Sequence, residues 1–120
     1  MNSSYEFLWV RYFAFTVIIE MLVAFPMLRS ADVSVPRRIG AILVANFTTH
    51  PLVFFFWAKI LHDRTVLTLV AESWALLAET GVYALIFSDL KWPRALAVSA
   101  LANGASYSIG VIANRMHWLT

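Results

Sequence analysis

The sequence contains no cysteine and little charge, and both absences exclude classes of protein. Without cysteine among its 120 residues, the chain forms no disulfide, binds no metal through thiolates and has no thiol nucleophile. Charged residues make up 13% of the chain, against about 25% in soluble domains, which is too few to cover a water-facing surface. The sequence also lacks a nucleophile elbow, a phosphate-binding loop and a zinc-binding spacing. These absences argue against an enzyme.

Apolar residues dominate what is present. They form 61% of the chain, and the mean hydropathy is +0.73. Because a membrane-spanning helix needs about 20 residues, the length allows four spans and leaves no room for a soluble domain. The basic residues stand mostly at predicted helix ends, as they do at membrane borders, so we expect a lipid bilayer as partner and no nucleic acid. The sequence therefore predicts an all-α integral membrane protein with a single membrane domain, residues 1–120.

Turn signals divide the chain into four predicted helices. Proline at positions 36 and 93 marks two helix starts, because the first turn of a helix needs no N–H from it. Pro51 lies inside the second helix, where it removes a backbone hydrogen bond, and we expect a kink there. The predicted helices cover residues 7–28, 37–61, 65–87 and 93–112.

An ordered set of residues occurs in both halves of the chain. A glutamate, then Pro-Arg, then an asparagine appear first as Glu20, Pro36-Arg37 and Asn46, and again as Glu79, Pro93-Arg94 and Asn103. The spacing from proline to asparagine is ten positions in both halves. We therefore predict two helical hairpins related by an internal repeat, about 7–61 and about 65–112. Both hairpins would enter the membrane in the same sense, as parallel repeats do.

Polar side chains inside the predicted spans must face one another, a water-filled path or a ligand, because lipid does not solvate them. Counted at 1.5 Å per residue, Glu20 and Asn46 lie roughly 12 and 13 Å from the same membrane side, and the same count holds for Glu79 and Asn103. Each hairpin then places a carboxyl beside an amide. Such a pair can serve helix association alone, or it can bind a ligand or handle protons. The predicted intramembrane network comprises Glu20, Asn46, His50, Glu72, Glu79, Ser99, Asn103 and Ser106.

Two further expectations concern neighbouring helices. Ser99, Asn103 and Ser106 repeat at helical spacing along the fourth helix, and we expect this face to meet the third helix. His50 and Glu72 are displaced towards the same membrane side and can pair. His50 is otherwise either a packed histidine or a ligand to a pigment or haem. No metal site is expected, because no second histidine lies at ligand spacing inside the membrane.

Two functions remain open on the sequence. The first is a non-catalytic accessory subunit of a larger membrane complex, photosynthetic or respiratory, which helps to hold pigments, quinones or lipids among other transmembrane subunits. The second is a small dimeric transporter or channel that uses its intramembrane Glu and Asn residues. In size and number of spans the chain resembles the small multidrug-resistance exporters and the fluoride channels, which work as dimers. Their ordered motifs are missing, so no family is assigned. A bacterial inner or intracytoplasmic membrane is the expected location.

Overall fold

The computed structural model describes residues 3–28 and 34–116, without the side chains of residues 3–6 and 54. Every regular element within these ranges is helical. The helices are α1 (Ser3–Met27), α2 (Val35–Ile60), α3 (Arg64–Ile86) and α4 (Trp92–Arg115). All four are long and apolar enough to cross a membrane, which indicates an integral membrane protein. The predicted bounds differ from the observed ones by one to four residues at each end.

Local sequence signals account for the helix starts. Ser34 precedes α2, and its hydroxyl accepts a hydrogen bond from the Arg37 N–H at 3.4 Å. Asp63 precedes α3, and its Oδ1 accepts from the Val66 N–H at 3.0 Å. Both side chains satisfy N–H groups that the first helical turn leaves free. Proline occupies the first turn of α2 and of α4, as the sequence predicts.

The regular α-helix of α2 is interrupted after Pro51, where a kink was predicted, by a π-helical turn. The α-helical geometry of Val35–Leu52 gives way to the π turn Val53–Trp57, and a last α-helical turn, Ala58–Ile60, completes α2. Pro51 has no N–H to donate to the carbonyl four residues before it, so the regular ladder is interrupted. The Val53 N–H lies within reach of the carbonyls of both Thr49 and His50. A wider turn thus absorbs the missing bond and the helix continues.

The four helices form a closed ring. α1 packs against α2 and α4, and α3 packs against the same two neighbours. The longest dimension is 42 Å, close to the roughly 40–45 Å of a bilayer with its headgroups. Apolar core residues concentrate towards the end where α1 and α3 finish and α2 and α4 begin, which we call the closed end. They include Ala24, Leu28, Ala41, Tyr83, Phe87, Leu90 and Ala95.

Candidate functional site: a polar centre below an open cavity

Glu79 is fully buried in the middle of the bundle and is bound from two neighbouring helices. Asn103 on α4 donates from Nδ2 to Glu79 Oε1 at 3.2 Å, and Thr49 on α2 donates from its hydroxyl to Oε2 at 3.3 Å. Ser99 supports Asn103, because its main-chain oxygen accepts from the same Nδ2 at 2.9 Å. The Ser99 hydroxyl also donates to the Leu76 carbonyl at 3.1 Å. Polar bonds therefore join α2, α3 and α4 at one level.

Glu20 is equally buried but lacks such donors. Within the described part of the chain, neither of its carboxyl oxygens has a hydrogen-bond partner within 3.5 Å. The Asn46 side chain lies beside it, but the Asn46 amide donates to the Ile42 carbonyl at 2.8 Å on its own helix. Asn46 Oδ1 is also buried without a partner in the same ranges. The structure places Glu20 and Asn46 side by side, with no hydrogen bond of 3.5 Å or less between them.

The two central carboxyls come from helices that are not neighbours in the ring. Glu20 belongs to α1 and Glu79 to α3, and the two groups are close enough to interact electrostatically. The Tyr83 hydroxyl, one turn beyond Glu79, lies near both carboxyls and is buried without a hydrogen-bond partner among the described residues. The centre therefore holds two acids, two amides and a phenol in an otherwise apolar bundle.

A cavity of about 400 Å³ leads towards this centre from the end opposite the closed end. All four helices contribute to its wall, which runs from Arg64 and Asn114 at the mouth to Glu72 and Ser106 inside. Thr16 also lines it, one turn before Glu20 on α1. A second space of about 100 Å³ lies between α2 and α3 and includes Thr49. The two spaces therefore come within one helical turn of Glu20, at Thr16, and reach Thr49, which is hydrogen-bonded to Glu79.

His50 and Glu72 line both spaces. No ion pair joins them at 4.0 Å or less, although both belong to the described ranges. The edge of the His50 ring contacts Phe13 on α1, with ring centroids 5.6 Å apart. Ser106, which also lines the larger cavity, donates to the Asn103 carbonyl at 3.1 Å. His50 is therefore placed beside a cavity, where a ligand can reach it, and not inside a sealed core.

Arginine side chains secure the closed end. Arg37 at the start of α2 donates from Nη2 to the Ile86 carbonyl at 2.6 Å, and Arg94 at the start of α4 donates to the Met27 carbonyl at 3.3 Å. Each bond satisfies a carbonyl that a helix end leaves free. Arg38 is buried beside them, with its guanidinium carbon 4.3 Å from the centre of the Phe25 ring. These contacts separate the polar centre from the surface at this end.

Several site residues were missed by the sequence analysis. Thr49 lies one turn after Asn46, and Tyr83 lies one turn after Glu79, so helical spacing alone could have indicated both. The cavity residues Tyr12, Arg64, Thr68 and Tyr107 had no such signal, because they look like ordinary border residues. Their role depends on how far the helices separate at the open end, which composition does not encode.

Within residues 3–28 and 34–116, no three His, Asp or Glu side chains cluster in a way that could hold a metal ion. The chain matches no protein-family model, and no curated protein or solved structure is significantly similar to it.

Proposed function

We propose that this chain is a small membrane transporter or channel in which the central Glu and Asn residues form the path. The observation that carries the proposal is the cavity open at one end and lined by all four helices, with Glu20 and Glu79 below it. Ionisable groups are rare inside membranes and typically mark substrate or ion pathways. Helix association alone accounts for Glu79, which is fully bonded, but it leaves Glu20 and the cavity unexplained.

The proposal includes an internal repeat, which the pattern of burial supports. On α1 and α3, the residues buried at the centre and closed end are Glu20, Ala24 and Leu28, and, 59 positions later, Glu79, Tyr83 and Phe87. On α2 and α4 the offset is 57 positions. The corresponding buried sets are Arg38, Ala41, Ile42, Ala45 and Asn46, and Ala95, Val98, Ser99, Ala102 and Asn103. Equal spacing of unlike side chains is expected when one hairpin is duplicated and each copy then diverges.

Hydrogen bonds at corresponding positions support the same repeat. Asn46 donates to the carbonyl four residues before it at 2.8 Å, and Asn103 does the same at 2.9 Å. At the closed end, Arg37 donates to the last residue of α3, while Arg94 donates to the last residue of α1. A twofold axis along the bundle would exchange these two contacts. We therefore propose two hairpins, α1–α2 and α3–α4, arranged as parallel repeats about that axis.

The experiment that tests the transport function is flux in proteoliposomes. The chain should carry a flux coupled to protons or to another small cation, and Glu79→Gln should abolish it, because glutamine preserves the shape but not the titratable group. Asp89→Asn, in the exposed link between α3 and α4, is the matched control and should leave the flux unchanged. Absence of flux in the parent protein, or full flux in Glu79→Gln, would refute the proposal.

A second candidate function, a non-catalytic subunit of a larger membrane complex, is favoured by the outer face of α4. Ala100, Gly104 and Ser108 form an exposed stripe of small residues at four-residue spacing, which allows another helix to approach closely. This candidate places the chain in a bacterial inner or intracytoplasmic membrane, beside photosynthetic or respiratory subunits. Pigment, quinone or lipid would then fill the cavity beside His50.

The size and absorption spectrum of the protein extracted from native membranes distinguish the two candidate functions. After solubilisation in mild detergent, an accessory subunit should migrate with a large complex, and the purified material should show the absorption of any bound pigment or haem. A transporter should migrate alone or as a small homo-oligomer without visible absorption. Co-migration with a large complex would therefore favour the second candidate over the first.

A further inference from the structure

The middle of the bundle contains more hydrogen-bond acceptors than donors. Both Glu20 oxygens and Asn46 Oδ1 are buried without partners among the residues described. One hydrogen of the Asn46 amide is used in the bond to the Ile42 carbonyl, so its second hydrogen and the buried Tyr83 hydroxyl are the donors left near these three acceptor atoms. Buried acceptors left in this state are unfavourable, so a donor or a cation is expected beside them.

The charged side chains around Glu20 and Asn46 also indicate that a donor or a cation belongs beside these acceptors. The titratable and charged side chains that are buried or line the cavity come from all four helices: Tyr12 and Glu20 from α1, Arg38 and His50 from α2, Arg64, Glu72, Glu79 and Tyr83 from α3, and Tyr107 from α4. Arg64 lies at the cavity mouth, and Arg38 is held at the closed end over the Phe25 ring, where it donates to the Phe25 carbonyl at 3.4 Å. Two acids therefore lie in a low-dielectric centre where no cationic side chain of the described residues is bonded to either, so a proton or another cation has to neutralise them.

The two acids are not equivalent, although they stand at corresponding positions of the proposed repeat. Glu79 receives hydrogen bonds from Asn103 and Thr49, one to each oxygen. Glu20 receives none within 3.5 Å in the described ranges. Glu20 also lies one turn from Thr16, which lines the cavity. The unpartnered acid is thus within one helical turn of the cavity wall.

We propose that Glu20 and Asn46 bind one exchangeable monovalent cation, a sodium ion or a proton, that enters through the cavity. A proton on Glu20 would let the carboxyl donate to Asn46 Oδ1 and would satisfy both groups. A sodium ion would be held by the carboxylate and amide oxygens, with the Tyr83 hydroxyl as a neutral ligand. Glu79 already accepts hydrogen bonds from Asn103 and Thr49, so it belongs to the path without forming the binding site for this ion. This inference rests on the proposed transport function, since it names the ion that the path carries.

Binding can be measured directly on the purified full-length protein in mild detergent. Thermal unfolding is followed while NaCl replaces choline chloride at constant ionic strength and pH. In a separate sodium-free pH series, infrared difference spectra report carboxyl protonation. A rise in the unfolding temperature with sodium that Glu20→Gln abolishes identifies the sodium ion. No sodium response, combined with a carboxyl infrared band that titrates in the parent and disappears in Glu20→Gln, identifies the proton.

A second variant and a control test whether Glu20 and Asn46 form the binding site. Asn46→Leu retains Glu20 and similar volume, and it should weaken sodium binding about tenfold, as the loss of one ligand would, or shift the titration of the Glu20 band. Asp89→Asn should change neither readout. If Glu20→Gln is too unstable to purify, Asn46→Leu decides alone. A Glu20→Gln or Asn46→Leu protein that retains the parent's sodium response and infrared titration would overturn the proposal.

The outcome is separable from that of the flux experiment. Cation binding without flux in proteoliposomes would refute the transport function and leave the site standing. Flux that persists after binding is lost would refute the site and leave transport standing.

Discussion

Thr49 provides the hydrogen bond between α2 and Glu79, the central acid of α3. Its hydroxyl lies 3.3 Å from Glu79 Oε2, and it is also within 3.2 Å of the Asn46 carbonyl. The preceding residue, Thr48, is exposed and donates only along its own helix, to the Ala45 carbonyl at 2.7 Å. Two threonines in consecutive positions thus differ in whether their hydroxyl groups contribute to contacts between helices.

We expect Thr49→Val to reduce the free energy of unfolding by about 0.6–2 kcal/mol, the range of interhelical hydrogen bonds in membranes. Valine keeps the volume and β-branching, so the change isolates the hydroxyl. Thr48→Val is the matched control and should stay within about 0.5 kcal/mol of the parent. Titration with a denaturing detergent measures both, and equal losses in the two variants would contradict the assigned contact.

Counting residues along the helices predicts the depth of the polar side chains in the centre, but it does not predict their conformations. It places Glu79 level with Asn103, and these side chains are hydrogen-bonded. The same count places Glu20 level with Asn46, where the amide turns to its own helix instead. Depth follows from 1.5 Å per residue, but the choice between a carboxyl and a backbone carbonyl depends on local rotamers. The difference between the two acids was therefore beyond the sequence.

At the scale of elements, helix starts were more predictable than the interior of α2. Proline at the first turn and Asp63 or Ser34 ahead of a helix are direct chemical signals. Pro51 also predicts an irregularity, but sequence alone does not show whether the helix bends or widens. The structure has a π turn at Val53–Trp57, and its position follows from which carbonyls the next free N–H groups can reach.

The two arginine contacts at the closed end predict matched effects on stability. Arg37→Ala and Arg94→Ala each remove a charged donor from a helix-terminal carbonyl at an exposed site, and each should destabilise the protein by about 0.5–1 kcal/mol. The two bonds share no partner, so the losses should add in the double variant.

Lys91→Ala serves as the control for the arginine variants. Lys91 is exposed at the start of α4, and its removal should leave unfolding by denaturing detergent nearly unchanged. A loss confined to one arginine, or a loss as large in Lys91→Ala, would contradict the reciprocal arrangement expected of the repeat.

At the scale of the whole molecule, the ring of helices leaves one outer face suited to a partner helix. A Cβ added at Gly104 or at Gly81 would meet nothing within 4 Å, so leucine at either position should leave the chain folded. Around Gly81 the outer face carries the large exposed residues Leu77 and Leu85, whereas Gly104 lies within the small stripe of α4.

We therefore expect Gly104→Leu to shift the solubilised protein to a smaller assembly, while Gly81→Leu keeps the parent's size. Blue native electrophoresis or light scattering in detergent measures the change. An unchanged size in Gly104→Leu would show that this stripe does not face another helix.

The bundle has two different ends. The closed end is apolar and is held by hydrogen bonds from arginine side chains, whereas the opposite end is open and polar. The sequence predicts four spans and a polar interior, because both follow from composition and helical spacing. It does not predict which end is open. That depends on small differences in packing, such as Leu28, Phe87 and Leu90 filling one end while Thr68 and Tyr107 line the open cavity at the other.

Thiol accessibility tests the open cavity most directly, and the natural absence of cysteine gives a clean background. Ser106→Cys and Thr68→Cys place a thiol on the cavity wall, and Leu77→Cys places one on the exposed outer face in the middle of α3. In sealed membranes, a membrane-impermeant, water-soluble thiol reagent should label the two cavity positions from one side only and leave Leu77→Cys unlabelled. Unreactive cavity positions, or labelling from the side of the closed end, would contradict a one-sided aqueous route to the central acids.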